Sequence, residues 1–254
     1  MTPPPQLPTG LAVVVPARDE AERIAATVHA VGTLPGVRHV VVVDDGSTDA
    51  TLRAAGEAGA IAVRLPRNRG KGAALERGVA RVRQFADSGE LALMFVDADL
   101  GPSAANLAPL AAPVLAGEAD MTIAILPPQA RPGGGHGFVV RLAREGILRA
   151  TGWTATQPLS GMRCLTQEAF ATAGPLAHGW GVETGLSIDV LLAGLRVVEV
   201  PVELQHRVTG RDWRGQVHRG RQYRDVARAL AVRRLRRAAP LRVLARLPRV
   251  RRGL

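Results

Sequence analysis

Asp97-Ala98-Asp99 puts two carboxylates one residue apart, directly after the apolar run Leu91–Val96. Oxygen donors at that spacing suit a hard divalent cation, which often binds through one or two carboxylates plus substrate phosphates. One of the pair can instead accept from a ribose hydroxyl, and a plain helix cap would also read this way. Gly70-Lys71-Gly72 is the second element. Glycines on both sides let backbone approach a phosphate, and the lysine adds a compact positive charge. Lys71 is the single lysine among 33 basic residues, so a chain that leans this far to arginine keeps one ammonium between two glycines. The glycine spacing is not that of a Walker loop.

Asp44-Asp45-Gly46-Ser47-Thr48-Asp49 is the third. Asp44 and Asp45 can accept hydrogen bonds from a base or ribose edge. Ser47, Thr48 and Asp49 are explained by turn formation and by capping of the next helix. His206 offers an imidazole that becomes a metal ligand only in the company of Asp99. The other five histidines show no pairing at ligand spacing. Glu183, early in an apolar helix, suits the helix dipole or accepts from sugar hydroxyls.

The elements that must carry these residues alternate. Leu11–Val15, Val40–Val43, Ala60–Leu65, Leu91–Val96 and Met121–Leu126 read as buried strands. Helical patterns over Asp19–Val31, from Asp49 to Ala58, over Gly72–Ala86 and to Ala116 separate them. Such alternation predicts right-handed crossovers and a mostly parallel, Rossmann-like sheet with helices on both faces, an α/β fold. Ligands gather at the carboxyl ends of such strands, where Arg18-Asp19-Glu20, Asp44-Asp45, Arg67 to Lys71 and Asp97 to Asp99 all fall. The second half is less regular. Residues 127–137 read as a flexible loop, a candidate lid. A helix over Phe138–Ala150, a turn at Gln157–Gly161 into a short strand, a helix over Gly181–Leu192, a strand over Arg196–Gln205 and a helix from Gly220 to Arg237 follow. Residues 1–10 read as a leader, 11–126 as a nucleotide-binding half, 127–218 as an acceptor and metal half, and 219–254 as a basic helix and tail.

The 254 residues are 46% hydrophobic and 22% charged, which supports an extensive core and excludes global disorder. Aromatics at 3% argue against a protein that stacks single-stranded bases. One cysteine, Cys164, excludes an internal disulfide and a cysteine-rich zinc site and fits a reducing, cytoplasmic compartment. No secretory signal or spanning segment is visible. The net charge of +11 sits in one place: from Arg207 onward 16 arginines face two acids, while the rest of the chain sums to −3. Val226, Leu230 and Leu235 among those arginines suit an amphipathic helix on the anionic inner face of a membrane. A solvated tail and non-specific nucleic-acid binding are the alternatives; a specific nucleic-acid partner is not expected. The sequence is compatible with a homodimer.

Assembled, these residues resemble nucleotide-sugar glycosyltransferases of family 2 type with the GT-A fold, and within them the glucosyl-3-phosphoglycerate synthases. The likeness runs from about Leu11 to Ala229. It rests on Val-Pro-Ala-Arg-Asp-Glu at 15–20, Val-Asp-Asp-Gly-Ser-Thr-Asp at 43–49, Gly-Lys-Gly at 70–72 and Asp97-Ala98-Asp99. Further along it rests on Gln157-Pro158-Leu159-Ser160-Gly161, Gly181-Val182-Glu183-Thr184-Gly185-Leu186 and His206-Arg207. The resemblance implies that Pro16, Ala17, Glu20 and Asp44 or Asp45 hold uridine and that Gly70 and Lys71 bind the nucleotide phosphates. It places Asp97, with Ala98, at the ribose, Asp99 and His206 on the metal, and Glu183 and the Leu159 backbone at the donor sugar.

The acceptor half departs from the synthase pattern. A Gly-Arg-Val-Thr run is replaced by Gly137-Phe138-Val139-Val140, and an Asn just after His-Arg by Val208. The replacements are apolar, which leans toward a larger or more lipid-like acceptor such as a polyprenyl phosphate. The implied activity is hexose transfer, glucose first among candidates, from a UDP-sugar with Mg2+ or Mn2+, with retained configuration. The cation would act as Lewis acid and template on the leaving diphosphate. Asp99, Lys71 and Glu183 form the catalytic set. A non-catalytic nucleotide-sugar or nucleic-acid binding protein is the alternative of another class.

Overall fold

Five consecutive apolar residues in the first strand, Leu11–Val15, have no exposed surface. A strand buried on both sides must lie inside a sheet covered on both faces, as in α/β proteins. The computed structural model describes residues 7–85, 87–127, 136–204 and 213–238, and shows this arrangement. Seven strands form one sheet: β1 (Gly10–Ala17), β2 (Val37–Asp44), β3 (Ile61–Arg64), β4 (Leu91–Phe95), β5 (Met121–Ile125), β6 (Arg163–Leu165) and β7 (Val197–Pro201). Their order is β3-β2-β1-β4-β6-β5-β7. Only β6 runs against its neighbours, β4 and β5.

Alternation along β1 divides the core. Leu11, Val13 and Val15 pack with α1 (Ile24–Gly32), α2 (Thr51–Glu57) and α4 (Ala108–Leu115) on one face. Ala12 and Val14 face α3 (Lys71–Val82), α6 (Gln167–Thr172) and α7 (Gly181–Leu192) on the other. Gly78 of α3 makes the second contact possible, since a Cβ there would lie 2.3 Å from Val14 Cγ1. Helices α5 (His136–Thr151) and α8 (Trp213–Ala238) add a small layer on α7 through Val139, Ala143, Ile147, Ile188 and Val226.

Several expected boundaries move. α1 begins at Ile24 and not Asp19, because Asp19 carries φ of 53°, outside the helical region, and residues 19–21 hydrogen-bond to Ser47, Thr51 and Asp49 between β2 and the start of α2. Ala50 and not Asp49 occupies the position before α2, but the Asp49 carboxylate still accepts from the N–H of Thr51, the first residue of that helix, as well as from Ala21 N. The helix expected up to Ala116 opens as a 3-10 turn over Gly101–Leu107 before α4. α6 was not legible as a helix; Thr166 caps it by accepting from Ala169 N at 3.0 Å. α8 starts earlier than Gly220 and turns Val226 inward, with Leu230 against Gly146, so Leu235 alone of the three expected apolar residues is exposed. His39 does pair: it stacks on Phe85 and hydrogen-bonds Asp87 at 3.0 Å. The proposed lid lies largely outside the described residues, as do the leader residues 1–6 and the tail beyond 238.

Candidate active site

The carboxyl ends of β1, β2 and β4 open toward the same edge, and each delivers one of the predicted clusters. Ala17 ends β1 in register with Asp44, which ends β2. The loop after β1 is laced to the loop after β2. Asp19 Oδ1 accepts from Thr48 N at 2.8 Å, Glu20 N donates to Thr51 Oγ1 at 2.8 Å, and Ala17 O accepts from Asp45 N at 2.8 Å. Asp19 carries φ of 53°, a left-handed conformation that Asp tolerates better than most residues. Pro16, Ala17 and Glu20 are therefore held as one rim with residues 44–51.

The two adjacent aspartates do different things. Asp44 is fully buried; Oδ1 accepts from Ser47 N at 2.8 Å, whereas Oδ2 has no hydrogen-bond partner among the described residues and lies 3.8 Å from Arg64 Nε. Asp45 uses both oxygens on backbone, accepting from Arg69 N at 2.7 Å and Gly70 N at 2.8 Å. Asp45 thus clamps the glycine loop, and Gly70, at φ 87°, delivers Lys71 to the first position of α3.

Lys71 is the centre. Its Nζ donates to Asp97 Oδ1 at 2.7 Å and to Glu183 Oε1 at 2.9 Å. Burial alone would lower the ammonium pKa, but the Asp97 and Glu183 charges outweigh it and hold the group above the ordinary lysine value. Glu183 stands in the first turn of α7, 4% exposed, with Oε2 buried and without a hydrogen bond among the described residues. Three segments 26 and 112 residues apart in sequence thereby meet at one ammonium.

The Asp97-Ala98-Asp99 turn is anchored from beneath by Thr27. Its hydroxyl donates to Ala98 O and accepts from Gly101 N, both at 2.8 Å. With Ala98 buried and Asp97 committed to Lys71, Asp99 is left half-buried with no hydrogen-bond or ion-pair partner among the described residues. His206, its expected companion, lies outside the described residues. Among the described residues no three His, Cys, Asp or Glu side chains group as a metal site.

Opposite, the Gln157–Gly161 turn closes on the ion pair. A Cβ on Gly161 would meet Lys71 Nζ at 2.4 Å and both Asp97 carboxylate oxygens at 2.8 Å. Gln157 bridges Leu126 N and O, and Glu199 of β7 accepts from Thr156 N and Gln157 N. Leu159 packs on Val139 and Ala143, and the Ser160 hydroxyl is buried without a partner among the described residues. Unsatisfied buried oxygens are rare and call for an explanation; among the described residues Asp44, Ser160, Glu183 and Thr184 each carry one, and Ser160, Glu183 and Thr184 belong to the two segments that close on Lys71.

The structure therefore brings together Lys71, Asp97 and Glu183 and sets Gly70 and Gly161 beside them. Thr27, Arg163 and Glu199 were not legible as site residues. A threonine in an apolar helix and an arginine in a buried strand are the signals that point to them.

An α/β sheet of this strand order thus carries, at the carboxyl ends of its strands, a lysine held between two carboxylates and an aspartate with no partner among the described residues. The chain matches the glycosyl transferase family 2 model over residues 12–150, more than half its length, and it belongs to that family. It is 33% identical over 203 residues to glucosyl-3-phosphoglycerate synthase of Mycolicibacterium paratuberculosis, covering 70% of this chain and 59% of that protein. It is 29% identical over 212 residues to glycosyltransferase AglJ of Haloferax volcanii, covering 81% and 66%. The chain thus spans about six-tenths of the length of the synthases it matches. Among solved structures, glucosyl-3-phosphoglycerate synthase of Mycobacterium tuberculosis with Mn2+, UDP and phosphoglyceric acid superposes with a TM-score of 0.70 at 29% identity, covering 89% of this chain and 78% of that one. The same protein with Mg2+ and UDP gives 0.71 at 29% identity, covering 89% and 79%. The GT-A architecture expected from the sequence is the one observed.

Proposed function

We propose that this chain transfers a hexose, glucose first among candidates, from a UDP-sugar to an acceptor. The observation that carries this reading is the Lys71–Asp97–Glu183 junction, formed beside an aspartate that has no partner among the described residues. Solved relatives that bind UDP with Mn2+ or Mg2+ support it.

Each group has a role. Ala17, Glu20 and Asp44 face the base, with Pro16 shaping that rim, while Asp45 works through the loop it clamps. Asp97, with the Ala98 backbone, takes the ribose. Lys71, with Gly70, supplies fixed positive charge to the leaving diphosphate, which is worth most where water is excluded. Glu183 and the Leu159 backbone orient the sugar. Asp99 fits a hard divalent cation, because it offers oxygen donors and spends none of them on a neighbour among the described residues. Asp99 and His206 would hold that ion, which when bound supplies Lewis-acid charge neutralisation to the diphosphate.

UDP release from UDP-glucose with Mn2+, compared between the native protein and Asp99→Ala, tests the reading. A loss of metal-dependent release of about 100-fold or more, the scale of one electrostatic stabiliser, is expected. Equal release from both proteins refutes it.

A second reading concerns the acceptor. A cavity of about 730 Å3 between α5, α7 and α8 is lined by Leu142, Ile188, Leu192 and Leu230, with Arg149 and Arg234 at its edge. Arg221, Arg224, Arg228, Arg234 and Arg236 share the exposed side of α8 with Tyr223, Val232 and Leu235. These features favour a polyprenyl-phosphate acceptor met at an anionic membrane surface. No described helix is long and apolar enough to cross a membrane. Sedimentation with anionic against neutral vesicles checks this; equal recovery with both removes it.

A further inference from the structure

The largest fully buried side chain of the described residues is a cation. Arg163, 1% exposed, opens β6 in register with Phe95 of β4 and Ile123 of β5. A buried guanidinium is expensive unless its donors are satisfied and its charge is balanced. Here its Nε donates to Ser160 O at 3.1 Å, one Nη donates to Ser187 Oγ at 3.0 Å, and the other points at Pro158 O at 3.5 Å. It makes no direct ion pair among the described residues. Burial pulls its pKa down to about 10, against the opposing pull of the Glu183 and Glu199 charges. Apolar residues of similar volume fill such interiors more cheaply, so an arginine here calls for a reason other than packing.

The reason lies in what it touches. Its three oxygen contacts are two carbonyls of the Pro158–Gly161 turn and the hydroxyl of Ser187. That hydroxyl in turn donates to Glu183 O at 3.0 Å. One side chain thus holds the carbonyls on either side of Leu159 and, through Ser187, the helical turn carrying Glu183, the two places that the proposed reaction assigns to the donor sugar. The turn is pressed from its other side by the Lys71–Asp97 pair against Gly161, where no Cβ fits. Gln157 and Glu199 fix its beginning but not its height.

We infer that Arg163 is a positioning residue for the donor sugar: it sets the Pro158–Gly161 turn and the first turn of α7 relative to Lys71, without touching the nucleotide. The uridine side is built from β1 and β2, to which Arg163 makes no hydrogen bond. Loss of Arg163 should therefore disturb the sugar step and spare the nucleotide. This rests on the hexosyltransfer reading above.

The test compares Arg163→Lys and Arg163→Met with the native chain in two assays: binding of UDP with Mn2+ by calorimetry, and turnover of UDP-glucose. Lysine keeps the charge but cannot reproduce the fork to two elements; methionine removes both. The expected result is a UDP affinity within about threefold of native in both variants. Turnover falls by about 10-fold or more in Arg163→Lys and further, toward 100-fold, in Arg163→Met, the cost of small misplacements of reacting groups. Near-UV circular dichroism reports whether Arg163→Met folds; where it does not, Arg163→Lys decides. Turnover within twofold of native in a folded variant overturns the inference, as does an equal loss of UDP affinity and turnover. A native protein that binds no UDP and releases none from UDP-glucose sinks the functional reading instead, a distinct outcome.

Discussion

Lys71→Met is the substitution whose cost can be worked most directly. Glu183 is 4% exposed, its Oε1 accepts from Lys71 Nζ at 2.9 Å, and its Oε2 has no hydrogen bond among the described residues. Removing the ammonium leaves a buried carboxylate with neither oxygen satisfied. Breaking one side of a buried pair costs about 3–5 kcal/mol. Two features place this case at the low end: the Lys71 side chain is 26% exposed, so water screens part of the pair, and Arg163 keeps some compensating charge nearby. A loss of about 3 kcal/mol corresponds to a fall of roughly 6–12 °C in Tm for a chain of this size. Glu183→Gln in the Lys71→Met background removes the stranded charge and should recover more than half of the loss. Thermal and urea unfolding of the native chain, both single variants and the double variant form a cycle that isolates the coupling. A Lys71→Met Tm within about 2 °C of native, or strictly additive variants, would refute the claim that this ammonium neutralises Glu183; the scale of about 3 kcal/mol predicts more.

Thr27→Val keeps the side-chain shape but strands Ala98 O and Gly101 N, so it should cost about 1–3 kcal/mol and weaken metal-dependent turnover through Asp99; unfolding curves and Mn2+ titration check both. Burial pushes the Asp120 carboxyl up, but hydrogen bonds and charge from Arg196 outweigh it and hold it below the ordinary value. The stabilisation from this carboxylate is therefore complete above the unfolded pKa of about 3.9 and is lost as pH falls through the lower folded value. Asp120→Asn should flatten that acid limb in pH-dependent unfolding and leave its shape at neutral pH unchanged. Burial also pushes the Cys164 thiol up to about 12, so thiol reagents at pH 8 should label it only as fast as the sheet opens, with rates that climb in urea.

Much of the strand framework was legible because a buried strand and an amphipathic helix leave different periodicities. Leu11–Val15 reads as a strand for the same reason that both its faces are covered. α7 was legible to the residue, since Gly181 and the apolar run to Leu192 carry their own pattern. Boundaries failed where long-range partners compete with local preference. Residues 19–23 have a helical pattern, yet Asp19 sits at φ 53°, outside the right-handed region, while Ser47, Thr51 and Asp49 accept from the backbone N–H groups of residues 19–21, and α1 starts only at Ile24. α6, six residues long, is too short for a period to show.

The sequence by itself determined which residue types can do the chemistry: a lone lysine between glycines, paired carboxylates after a strand, and a carboxylate opening an apolar helix. These are local facts about side-chain chemistry and turn-forming backbone. Only the tertiary structure decided their division of labour. Asp44 and Asp45 look equivalent in the chain, but one ends β2 with an oxygen that has no hydrogen bond among the described residues, while the other clamps the loop that delivers Lys71. Thr27 and Arg163 gain their importance from contacts 71 and 24 residues away in the chain. Hydrogen bonds and charge act through a few ångströms of space, and no separation along a chain reports that distance.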